Sequence, residues 1–112
     1  MIRSKLAQLK IEFEIGRLHM YRVAMVMEEG RAPNWESSMS KVFSTAFEQR
    51  LAGISIEIAG LYGQLAPASK WVPMQGMAYH SYLSSKGYSL QAGSSEVLKN
   101  IIALRKLQLP TG

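Results

Sequence analysis

The sequence predicts an all-α protein, an incomplete up-down helical bundle of three main helices and one short one, and three observations carry that prediction. Apolar residues return at alternating intervals of three and four over long stretches, the spacing of one helix face. Glycine and proline punctuate the ends of those stretches rather than their interiors. The connection between the first two stretches is short, so the helices it joins lie antiparallel as neighbours.

The first helix runs over about 4–29, free of proline and ended by Gly30 with Pro33 just beyond. Leu6, Leu9, Phe13, Gly16, Met20, Val23 and Met27 form a seam along it, and Gly16 would let a neighbour come close. A second apolar set, Ile11, Ile15, Leu18, Met25 and Val26, lies off that seam, so this helix is expected to be buried on two sides. A second helix over 35–59 starts after Pro33, with Asn34 or Ser37 as its cap, and stops at Gly60 and Gly63. Its inner face is expected to carry Met39, Val42 or Phe43, Ala46 or Phe47, Leu51, Ile54 and Ile58, with Trp35 as a packing anchor. Residues 61–76 hold Gly63, Pro67, Pro73 and Gly76 without periodicity and read as a loop. A short helix over 77–86, with Tyr79, Tyr82 and Leu83 on one face, ends at Gly87. The last helix, over 95–108, points Val97, Ile101, Leu104 and Leu107 or Leu109 inward and is terminated by Pro110. Three walls leave a bundle open, and the apolar surface of the first helix must then find a partner.

The whole chain bounds the function. Its 112 residues make one domain, 1–112, of modest core. No window nears the roughly 18 uninterrupted apolar residues that span a bilayer, and no cysteine is available for disulfide or thiolate chemistry. The alternation of charged and apolar residues after Met1 does not resemble a signal peptide, which makes a cytoplasmic location the expectation. The net charge of +5 is spread from Arg3 to Lys106 without a run or an interleaved aromatic surface, so nucleic acid is not expected as a partner. His19 and His80 stand far apart with no ligand at metal spacing, and no metal site is expected.

The stretch Gln91-Ala92-Gly93-Ser94-Ser95-Glu96-Val97 reads as a loop turning into a helix, whose first free N–H groups can meet an anionic or polar ligand group. Taken alone, Ser94 with Glu96 is a helix cap and Glu57 is a solvated helix charge. The wider segment, Gly93-Ser94-Ser95-Glu96-Val97 followed by Asn100-Ile101-Ile102-Ala103 and Leu107-Gln108-Leu109-Pro110, resembles the closing motif of the acyl-CoA dehydrogenase family. Leu6-Ala7-Gln8-Leu9, Ser38-Met39-Ser40-Lys41 and Glu57-Ile58-Ala59-Gly60-Leu61-Tyr62-Gly63 resemble three further segments of that family's C-terminal four-helix bundle, in the same order. The resemblance implies the last three helices of that domain, in an FAD-dependent enzyme that desaturates acyl-CoA thioesters.

It further implies cofactor contacts at Glu57 and Gly60, toward the FAD of a neighbouring subunit, and at Gly93, Ser94 and Glu96, with Gly93 also beside the thioester. Ala92 occupies the place where many members carry the Glu that removes the substrate's α-proton, so no catalytic residue is assigned. The N-terminal helical and central β domains that enclose the flavin fall outside these 112 residues, and the chain alone is expected to be inactive. A homodimer or homotetramer, or a hetero-oligomer with a full-length dehydrogenase subunit, is the expected assembly. A non-enzymatic helical oligomerisation module is the alternative reading of the same apolar faces.

Overall fold

A computed structural model describes residues 1–110; Thr111 and Gly112, the end of the predicted 1–112 domain, lie outside the described residues. Four α-helices follow one another: α1 (Ile2–Glu28), α2 (Trp35–Ala59), α3 (Met77–Tyr88) and α4 (Ser95–Arg105). No strand occurs among the described residues. α1 closes as its sequence demands: Gly30 takes φ +73°, its N–H donates to the Met27 carbonyl, and the Arg31 N–H donates to that of Val26. That pair of bonds is the Schellman ending, which needs a left-handed residue and so a glycine.

Several local expectations change. Asn34 stands at the N-cap position of α2 but its side chain makes no capping bond, and the Ser37 hydroxyl donates to the carbonyls of Pro33 and Asn34. The stretch 61–76 is not a plain loop, since Gly60–Gln64 and Pro73–Gly76 both wind into 3-10 turns. Gly87 does not end α3, which continues to Tyr88, where the Lys41 ammonium donates to the Tyr88 carbonyl at 2.7 Å. A cation bonded to a helix's last turn satisfies an orphan acceptor and opposes the dipole. α4 stops at Arg105, short of the expected 108, and Gln108, two residues before Pro110, adopts φ +52°.

α2 is the hub. It packs against α1, α3 and α4, while α1 has α2 as its one substantial helical neighbour. The α1–α2 contact is antiparallel and can be followed rung by rung: Lys5 with Glu57, Glu12 with Arg50 at 2.8 Å, Phe13 with Phe47, His19 with Phe43, and Arg22 over Trp35. Gly16 lies in the seam as expected, 3.6 Å from the Phe43 ring even if a Cβ were added. At the other end, Trp35 is also approached by the Lys106 ammonium, 4.5 Å from the ring centre, which ties α1, α2 and the segment after α4 together.

The buried positions are smaller and fewer than the apolar pattern predicts. On α2 they are Glu36, Ser38, Thr45 and Ala52, not the expected large residues; Leu51 and Ile58 are exposed. Ser38, Thr45 and Ala52 recur every seven residues, a stripe of small side chains along which neighbours come close. α4 turns Leu98 inward and leaves Val97 and Leu104 exposed; α3 buries Ser85 and leaves Tyr82 and Leu83 exposed. α1 buries only Leu9 and Val26, so the second buried side expected for it is absent among the described residues.

The proportions agree. The radius of gyration is 17.2 Å, where a compact domain of this length has about 13 Å. The accessible surface is 8129 Å², about a third more than the ~6,200 Å² of a compact monomer of 12.5 kDa.

Candidate functional site at the two ends of α2

The turn into α4 is shaped by two consecutive left-handed residues, Ala92 (φ +55°) and Gly93 (φ +104°). Gly93 is confined as well as strained, since a Cβ there would stand 3.2 Å from the Leu98 side chain. Ser94 follows in extended geometry as the N-cap, its hydroxyl accepting from the Val97 N–H at 3.4 Å. The Glu96 carboxyl is held below the usual carboxylate range, first by its own backbone N–H and then by the Ser94 hydroxyl, with Lys99 adding its charge.

The Val97 N–H is already engaged by the Ser94 hydroxyl. The exposed Glu96 carboxylate beside it can accept from hydroxyl or amino groups. Ala92 is exposed and presents a methyl group, which takes no proton.

Glu57 and Gly60 sit elsewhere. Glu57 ends α2 paired with Lys5 of α1. Gly60 has φ +60°, its N–H donates to the Glu57 carbonyl, and nothing lies within 4 Å of where its Cβ would be. The backbone there is open to an approaching molecule. Gly63 is needed for packing: a Cβ would meet Ala59 at 2.8 Å and the Ile56 carbonyl at 3.0 Å.

The two groups do not converge. Lys41 reaches the carbonyl of Tyr88, and Lys106 reaches Trp35, so the approach to α4 and its far end both lie along the first half of α2. Glu57 lies 16 residues beyond Lys41, about 24 Å along the helix axis. None of the five residues lines either of two apolar clefts, one of about 630 Å³ between α2 and α3, the other of about 450 Å³ between α1 and α2.

Sequence reasoning missed the fastenings of α3. Besides Lys41, the Gln49 amide donates to the Ser85 carbonyl at 3.1 Å. The signal lies in the Ser38-Met39-Ser40-Lys41 segment, where a lysine on the α2 face toward α3 can reach a helix-end carbonyl. The left-handed pair Met74 and Gln75 (φ +51° and +55°) left no trace in composition. His19 packs on Phe43, and His80 lies on α3 with its Nδ1 3.5 Å from the Ser84 hydroxyl; no cluster of three metal-ligating side chains forms among the described residues. Among them also, no helix is long and apolar enough to cross a membrane.

Residues 1–107 match the family model described as the acyl-CoA dehydrogenase C-terminal domain. The chain belongs to the acyl-CoA dehydrogenase family. A glutaryl-CoA dehydrogenase of Desulfococcus multivorans is 28% identical over 110 residues, a stretch that is 96% of this chain and 26% of that protein. The chain therefore spans about a quarter of the length of the curated relative it matches. Two solved structures share the fold: a Tcur3481-Tcur3483 steroid ACAD, with TM-score 0.92, 20% identity, 99% of this chain and 29% of that chain covered. The other is the ChsE4-ChsE5 complex from Mycobacterium tuberculosis, with TM-score 0.88, 22% identity and the same coverage.

Proposed function

We propose that the chain serves as the C-terminal helical part of an FAD-dependent acyl-CoA dehydrogenase, an α,β-desaturase of acyl-CoA thioesters, contributing oligomer contacts and two separate pieces of FAD site. The observation that carries this reading is that the two motif regions sit on different parts of the fold, Glu57 and Gly60 at the C-terminal end of α2 and Gly93, Ser94 and Glu96 at the start of α4. One copy holding both against a single cofactor would need them to converge, whereas pieces of two sites in an oligomer need them apart.

The chemistry at the start of α4 fits FAD on its ribose and adenine side. Ser94 and Glu96 offer acceptors for hydroxyl and amino groups, and Gly93 keeps the backbone close to Leu98 so that no side chain intervenes. Glu57 and Gly60 offer a carboxylate and open backbone to a second cofactor. Bound FAD supplies the hydride acceptor of the desaturation. Of this chain's residues, none is assigned the proton abstraction, since Ala92 has no basic atom. The enzyme is expected to assemble as a homodimer, a homotetramer or a hetero-oligomer with a larger dehydrogenase subunit, and the two-component ChsE4-ChsE5 complex that shares its fold supports the last of these.

The test combines light scattering with thermal denaturation of the chain with and without FAD. A mass that is a multiple of 12.5 kDa and a melting temperature raised by FAD are expected, the rise shrinking in Ser94→Ala/Glu96→Gln. A chain that assembles but ignores FAD would overturn the cofactor reading and leave a helical interaction module.

A further inference from the structure

The chain passes from α3 to α4 through a turn that does not hold its own shape. The Gly87 carbonyl accepts from the Leu90 and Gln91 N–H groups at 3.0 and 3.2 Å, and the Ser89 hydroxyl donates to the Lys86 carbonyl at 3.0 Å. Beyond Gln91 these local bonds stop. Among the described residues, Ala92, Gly93 and Ser94 donate no backbone–backbone hydrogen bond, and the ladder resumes where the Leu98 N–H meets the Ser94 carbonyl at 3.0 Å. Yet Ala92 stands at φ +55° beside Gly93 at +104°. A residue that carries a Cβ keeps a left-handed conformation where its surroundings impose it.

What imposes it lies at the two ends of the turn. One end is fixed within α4, where Ser94 accepts from the Val97 N–H and Gly93 is confined by the Leu98 side chain. The other is fixed from α2. Among the described residues, the bond from the Lys41 ammonium to the Tyr88 carbonyl, 2.7 Å, is the one hydrogen bond that ties residues 86–93 to another helix.

We infer that Lys41 is a positioning residue for the cofactor site at the start of α4. By holding the Tyr88 carbonyl it fixes where the chain leaves α3, and through that the left-handed turn that presents Ser94 and Glu96. The inference rests on the functional reading above for the ligand, and adds a residue of another helix that shapes the site through the backbone. The chemistry of a lysine suits this task. Its charge answers the last turn of α3, where carbonyls lack helical partners and the negative end of the dipole lies. No carboxylate among the described residues stands within 4 Å of the Lys41 ammonium, so the charge is not drawn into an ion pair. The second fastening, from Gln49 to the Ser85 carbonyl at 3.1 Å, grips α3 nearly a turn earlier. It holds the helix, whereas Lys41 holds the exit.

Lys41→Met keeps the aliphatic stem and removes the donors, while Lys41→Arg keeps both charge and donors. Gln49→Met removes the neighbouring fastening and controls for plain loss of stability. Two readouts are followed in the whole chain: the Ala92 Cβ and Val97 amide signals by NMR, and the dissociation constant for FAD by fluorescence titration. In Lys41→Met the Ala92 signal is expected to leave its left-handed position and FAD to bind about tenfold more weakly, with helical circular dichroism retained. Lys41→Gln, shorter and uncharged, serves as a second variant with the same expected losses, and Lys41→Arg is expected to restore both. Gln49→Met is expected to lower the melting temperature and leave both readouts in place; a purely stabilising lysine would make the Lys41→Met and Gln49→Met variants alike. A moved turn with unchanged FAD affinity overturns the inference. Unmoved Ala92 and Val97 signals in Lys41→Met, with FAD bound by the unaltered chain, sink the inference and spare the functional reading. A moved turn in a chain that ignores FAD does the reverse: the lysine sets the turn, and FAD is not its ligand.

Discussion

α1 and α2 are nearly equal in length and opposite in how they spend their side chains. α2 buries small and polar residues, Glu36, Ser38, Thr45 and Ala52, because helices press on it from several directions and leave room for little else. α1 carries the larger apolar inventory and buries two of it, Leu9 and Val26. The richer pattern therefore belongs to the helix with fewer neighbours in the chain. Hydrophobic periodicity records how much surface a helix will eventually cover, not how much its own chain covers.

Truncating a buried contact at the hub is the strongest way to break that contrast. Leu98→Ala, in α4, is expected to cost about 2–5 kcal/mol in chemical denaturation, while Leu18→Ala, exposed on α1, costs the isolated chain about 0.5 kcal/mol or less. Similar costs for the two would mean that α1 is packed after all. Next come two left-handed glycines. Gly76→Ala combines φ +78° with a Cβ 2.8 Å from Pro67 and is expected to cost about 2 kcal/mol; Gly30→Ala, with φ +73° and open space around it, about 1 kcal/mol. The difference between their melting temperatures reads the packing between the 3-10 turns separately from backbone strain.

The smallest effect concerns how α1 is held. Arg50→Ala is expected to cost at most about 1 kcal/mol, and less in high salt. The Glu12 carboxyl is held below the usual range chiefly by the Arg50 hydrogen bond, with Gln8 helping, and Glu14 is lowered chiefly by its bond from Lys10. Such groups stabilise the fold above the ordinary carboxylate range and lose that contribution as pH falls through their depressed pKa values. Acid titration should therefore loosen the chain, less steeply in Arg50→Ala, as far-UV circular dichroism against pH would record.

The helices and the antiparallel pairing of the first two were legible, because periodicity and Gly-Pro punctuation are local signals. The Schellman end at Gly30 could be read almost residue by residue. Which face turns inward was legible only in part: Leu9, Gly16 and Val26 meet expectation, but on α3 and α4 the inward positions are Ser85 and Leu98, not the heavier aromatic and aliphatic sets. Those heavier sets are matched to surfaces this chain does not supply. At the candidate site, the cap by Ser94 was plain from its position before α4, and the turn at Gly60 from its glycines. The tie between Glu57 and Lys5 was not, since 52 residues separate them and only the helix crossing brings them together.

Trp35, clasped by Arg22 from α1 and by Lys106 from beyond α4, has a consequence for how the chain comes together. Its two cations come from regions 84 residues apart in the chain, so neither half of the clasp reports on the other until α2 stands between them. That connectivity makes α2 the template: α3 is fastened to it through the carbonyls of Ser85 and Tyr88, α4 packs beside it, and α1 has it as its one substantial helical neighbour.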